Sequence, residues 1–198
     1  MKSFSLIVTD SGPLITLAVA RSLDVLLLPG LPMIVPDMVR FEVIRDLSKP
    51  GAEEVAQWIR ENEGPALRVA STEVFEEYQV LAQARPATKA ANRGEQAAAE
   101  VLSKELEAKD HGAVLLFEDS GIRKQNFLVR LPDEVVVTST SEFLFGLESA
   151  GLISSALEIL RRATALRGNE ILQRRLGGTA SAEPENWPAR LRPSRPRP

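Results

Sequence analysis

The sequence predicts an α/β fold: a three-layer sandwich in which helices cover both faces of a mostly parallel central sheet. Two observations predict it. Short apolar runs of strand length alternate along the chain with longer segments of helical period, separated by Gly and Pro. Four acidic residues, Asp10, Glu42, Glu95 and Asp119, lie where separate segments run out of hydrophobic sequence. In a parallel sheet the carboxyl ends of the strands and the starts of the following helices share one edge, so residues distant in sequence can meet there.

Residues 4–9 are apolar and read as a buried strand. Ser11-Gly12-Pro13 then turns the chain, and Pro13 suits the first position of a helix over 14–20. A short helix over 23–28 ends at Pro29-Gly30, and 33–35 is a second strand. Pro36-Asp37 starts a helix whose Met38, Phe41, Val43 and Ile44 leave Glu42 on a distinct face. A helix from Pro50 to about residue 61 turns Val55, Trp58 and Ile59 inward. Residues 67–70 are a third strand, and helices follow at 72–84 and 93–108. Residues 113–117 form the best-defined strand, 120–128 a helix, and 134–138 the last strand. Helices at 140–149 and 154–167, divided by Gly151, finish the fold.

The chain of 198 residues suffices for one domain with a hydrophobic core, expected over 1–160, with a helical extension over 161–177. Past Gly177-Gly178 the composition shifts to Pro, Arg, Ser and Ala, which predicts a mobile tail over 178–198. The absence of cysteine excludes a disulfide framework, a zinc-thiolate site and a thiol nucleophile. The start of the chain lacks the apolar core of a signal peptide, and no apolar run is long enough to span a bilayer, so a cytoplasmic protein is expected. The formal net charge is −3, unevenly distributed. Residues 161–198 hold nine Arg against three Glu, a net of +6 that leaves −9 to the remainder. That basic end can track phosphates, or it is a solvated tail.

Each acid has a structural reading of its own. Asp10 or Ser11 could cap the first helix, Glu42 could be a surface acid, Glu95 could complement a helix dipole, and Asp119 could cap the helix after it. Gathered at one edge, however, three or four carboxylates repel unless a cation lies between them. Hard oxygen ligands suit Mg²⁺ or Mn²⁺. Metal-dependent phosphodiester chemistry is therefore expected. A phosphotransfer site of the haloacid-dehalogenase type would want an Asp where Gly12 stands, and the acidic pair and late Lys of a receiver domain are missing. With no Cys, and a single His111 that reads as a helix-ending surface residue, a nucleophilic triad has no support. Trp58 and Trp187 could stack on bases, but Trp58 fits the core and Trp187 falls in the tail.

The order of the motifs resembles a PIN-domain nuclease. Asp-Ser-Gly-Pro-Leu-Ile follows the first strand, Glu42 comes six residues after Pro36, Gly94-Glu95 opens an Ala-rich helix, and Glu118-Asp119 has Arg123 four residues on. Residues 140–153 are similar to the closing helical segment of that family. The resemblance is nearest the VapC-type toxins and the predicted nucleic-acid-binding proteins grouped with them, and it covers about residues 5–160. It implies metal-binding, catalytic carboxylates at Asp10, Glu42, Glu95 and Asp119, with Ser11, Glu118 and Arg123 in support. Relatives more often carry Asp-Glu where this chain has Glu118-Asp119, so either of the two can face the metal.

The resemblance implies an endoribonuclease that uses Mg²⁺ or Mn²⁺ on an RNA substrate, acts as a homodimer, and is the toxin of a pair blocked by a small antitoxin protein. The alternative, from another class, is a non-catalytic module binding nucleic acid or protein.

Overall fold

Five strands, β1 (Phe4–Thr9), β2 (Met33–Pro36), β3 (Leu67–Ala70), β4 (Gly112–Leu116) and β5 (Val135–Thr138), form one all-parallel sheet in the order β3-β2-β1-β4-β5. The computed structural model describes residues 3–88, 90, 92–107, 111–118, 131–167 and 187–190. β1 is central. Its Ile7 lies opposite Met33 of β2 and Val114 of β4, and Thr9 lies opposite Leu116.

Alternate side chains of the central strands enter two separate cores, as the two-residue period of a strand requires. Ile7, Val114 and Leu116 point to one face, covered by α1 (Ser11–Val19), α3 (Ala52–Asn62), α6 (Thr140–Ser149) and α7 (Ala156–Arg167). Leu6, Val8, Ala113 and Leu115 point to the other, where α5 (Arg93–Leu106) supplies Ala98, Val101 and Leu102. Burial on both sides explains why these strands are apolar at nearly every position. The expected α/β sandwich is what the chain adopts.

Two further helices complete the frame around the sheet's carboxyl edge, α2 (Asp37–Ile44) and α4 (Glu73–Ala84). Thr72 caps α4, accepting the Phe75 N–H at 3.2 Å while its own hydroxyl donates to Asp37 Oδ1 at 2.6 Å. Glu100 of α5 accepts the N–H groups of Glu73 and Val74. The start of α4 is thereby tied to both α2 and α5.

Departures from the expected elements are small. α1 begins at Ser11, two residues before Pro13. A helix leaves its first four N–H groups unpartnered, so a proline within that turn costs no hydrogen bond. The residues of the third strand are those expected. The helix expected over 120–128 lies outside the described residues. Trp58 is a core residue whose Nε1 donates to Asp24 Oδ1 at 2.9 Å.

Of the expected tail, the described residues are 187–190. Trp187–Arg190 form a 3-10 turn, and Trp187 is 2 % exposed, stacked on Phe143 of α6 with ring centroids 4.9 Å apart. The approach is possible because Gly146 stands opposite. A Cβ there would lie 2.7 Å from the indole Cε2. One large aromatic ring buries enough apolar surface to order its neighbours, even within a polar composition. The rest of 178–198 lies outside the described residues. No described helix is long and apolar enough to cross a membrane.

Candidate functional site

From β1 the chain winds outward through β2 to β3, then returns to β4 on the other side of β1. The connections after β1 and β4 therefore leave in opposite directions, and a crevice opens between their carboxyl ends. That is where open parallel sheets bind ligands. Asp10 stands at the end of β1 and Glu118 two residues beyond β4.

Asp10 is extended (φ −91°, ψ 175°) and only 9 % exposed, and its N–H donates to Leu116 O of β4 at 3.0 Å. It occupies the N-cap position of α1, yet its side chain makes no capping hydrogen bond of regular geometry. A buried carboxylate is costly to charge. Burial raises Asp10 from 3.8 to about 6; the charges of Glu95 and Glu118 add to the rise, and the nearby amides of Ser11 and Gly12 oppose it.

Glu42, on α2, shares the crevice. Burial raises it from 4.5 to about 7, followed by the charges of Asp10 and Glu95, against the Gly94 amide and Arg45. The two carboxylates converge on the start of α5. A Cβ at Gly94 would lie 2.8 Å from Glu42 Oε2 and 3.2 Å from Asp10 Oδ1. Gly94 thus leaves the space in which both acids sit. Glu95, the next residue, is half-buried and acts on both through its charge.

Glu118 is held from two sides. Thr16 Oγ1 of α1 donates to its Oε2 at 2.9 Å, and Thr140 Oγ1 of α6 donates to its Oε1 at 2.7 Å. Both threonines are buried. For Thr16 the sequence signal was a hydroxyl within an apolar helical run, Leu14-Ile15-Thr16-Leu17, because a buried hydroxyl needs a partner, whereas Thr140, among Thr138-Ser139-Thr140-Ser141, carried no such signal.

Of the residues expected at the site, Asp10, Glu42, Glu95 and Glu118 come to one edge, with Ser11 as the first residue of α1. Asp119 and Arg123 lie outside the described residues. Among the described residues, no three His or acidic side chains stand close enough to share one ion. The close approach is the pair Asp10 and Glu42 over Gly94. His111 precedes β4 and so lies at the opposite end of that strand.

A divalent cation fits this pair on chemical grounds. The donors are hard carboxylate oxygens, they face a gap that a single Cβ would fill, and their mutual repulsion is what a cation removes. No family model and no curated protein matches the chain.

Proposed function

We propose that this protein is a metal-dependent endoribonuclease of PIN-like type. The carrying observation is the convergence of Asp10 and Glu42 over Gly94 beside the topological switch point. Asp10 and Glu42, the pair that converges, would hold Mg²⁺ or Mn²⁺, and in this reading Glu95 and Asp119 of the fourth acidic segment would close on the ion to complete the set. The ion would supply a water of lowered pKa and neutralise charge on the phosphate.

The chain's own residues do the positioning. The buried end of β1 fixes Asp10, α2 brings Glu42 against it, and the hydroxyls of Thr16 and Thr140 fix Glu118 at the mouth of β4. The crevice is acidic, so an inhibitory partner would present a basic side chain to it. In this reading that partner is a small antitoxin, the enzyme is a cytoplasmic homodimer, and single-stranded RNA is the substrate.

The test is cleavage of single-stranded RNA with Mg²⁺ or Mn²⁺ present and absent, against Asp10→Asn. Metal-dependent cleavage lost in the variant supports the reading. Unchanged RNA binding with no cleavage by the native protein would favour a non-catalytic binding module instead.

A further inference from the structure

The two helix segments that carry Glu42 and Glu95 also carry an aromatic ring and a cation. Phe41 directly precedes Glu42, and Arg93 directly precedes Gly94. Phe41 lies 5.4 Å from Phe75 and 5.3 Å from Tyr78, measured between ring centroids. The Arg93 guanidinium carbon sits over the Tyr78 ring, 5.6 Å from its centroid. Tyr78 is buried, and Phe41, Phe75 and Arg93 are each half-buried, the two phenylalanines packed against the small core of Met38, Tyr78, Ala90 and Ala97. The cluster is rigidly mounted, because Asp37 and Glu100 tie the start of α4 to α2 and α5.

A crevice lined by carboxylates repels a polyanion, so a strand that enters it needs adhesion close by. An arginine held on an aromatic ring offers both charge and a flat surface. An aromatic ring that keeps part of one face accessible can stack on a base without regard to sequence. A single strand presents unstacked bases to such a surface, and a duplex does not. We propose that Phe41, Phe75 and Arg93 form a subsite on which single-stranded RNA rests a base and its adjoining phosphate as the strand passes the carboxylates. This inference rests on the nuclease reading above. It adds that substrate selection works by stacking, with weak sequence preference.

The experiment uses the full chain and a short single-stranded oligoribonucleotide of mixed sequence, with a matched oligomer carrying abasic positions. Affinity is measured without divalent ions, and kcat and KM with Mg²⁺. Arg93→Gln and Phe75→Leu should each weaken binding and raise KM by about tenfold, with kcat within about twofold. Arg93→Lys, which keeps the charge, should recover part of the loss. Abasic substitution should weaken the native protein and remove its sensitivity to Phe75→Leu. If Phe75→Leu does not fold, the Arg93 pair and the abasic oligomer decide alone. Native cleavage with equal affinity for both oligomers, and with unchanged KM in Arg93→Gln, would show the cluster to be a small core only. A native protein that neither binds nor cleaves RNA overturns the nuclease reading and this subsite with it.

Discussion

Gly94 shows how a single missing side chain can decide a site. It is the second residue of α5, where alanine would be the better helix former, yet a Cβ there would press on Glu42 Oε2 and Asp10 Oδ1. Glu42 can swing its carboxylate away, so Gly94→Ala should leave the thermal midpoint unchanged or slightly higher. What it should remove is the rise in that midpoint on adding Mg²⁺ or Mn²⁺, which native protein should show because ligand binding favours the folded state. A midpoint that climbs equally with divalent ion in both proteins would count against the Asp10–Glu42 pair as ligands. The burial of Asp10, with the charges of Glu95 and Glu118 adding to it, sets a pH dependence. Asp10 has its folded value raised from 3.8 to about 6, so folding is not penalised below 3.8, the penalty accrues between the two values, and it is constant above about 6. Without divalent ion, Asp10→Asn should therefore stabilise the protein by about 2–3 kcal/mol at pH 8, converting each pKa unit at ~1.4 kcal/mol. Denaturant melts should show that gain fading as pH falls towards 4. A gain independent of pH would mean that charge is not its source.

At the scale of elements, the alternation of strands and helices was legible because a strand buried on both faces leaves a short apolar run, as in β1 and β4. β3 was read to the residue because Pro65 and Ser71 lie just outside its two ends. The candidate site was legible to a lesser degree. Acids at the ends of apolar segments can be placed on one edge from sequence, as Asp10 was; from the fourth segment the acid expected there was Asp119, outside the described residues, with Glu118 in support. Partners cannot be read that way: Thr16 and Glu118 are 102 residues apart, and only the path from β1 out to β3 and back to β4 brings them together. The two hydroxyls make Glu118 a tie between α1 and α6, across the mouth of β4. Thr140→Val keeps the shape and removes the donor to Oε1, so it should cost about 1.5–3 kcal/mol, the range for a hydrogen bond to a charged group. In a Glu118→Ala background most of that cost should vanish, since the hydroxyl no longer has the carboxylate to serve. Chemical denaturation of the four proteins of this cycle measures the coupling, and a coupling near zero would dissolve the tie.

The whole molecule joins an acidic body to a basic end, and Trp187 is one described point at which they meet, besides Arg162 of α7, which donates to Ala20 O and Ser22 Oγ. Composition alone made 178–198 a solvated tail, because a window of Pro, Arg, Ser and Ala hides the one residue able to reach a core. Burial of that indole against Phe143 separates two functions that a single truncation would confuse. Deleting 178–198 removes the indole and should cost about 3–5 kcal/mol, as Trp187→Ala should, the usual range for emptying a large aromatic site. Ending the chain after Arg190 keeps the indole and removes Arg192, Arg195 and Arg197, and should leave the denaturation midpoint near native. The shorter truncation should still weaken RNA binding and make it less salt-dependent, because every phosphate of a single strand left without its arginine lowers the slope against salt by roughly 0.7. Turnover at saturating RNA should be retained, since those arginines lie beyond every carboxylate of the site. Loss of turnover at saturation with binding intact would place the basic end inside the active site. Unchanged affinity and salt slope would leave Trp187 as a structural anchor and the arginines beyond it without a part in RNA binding.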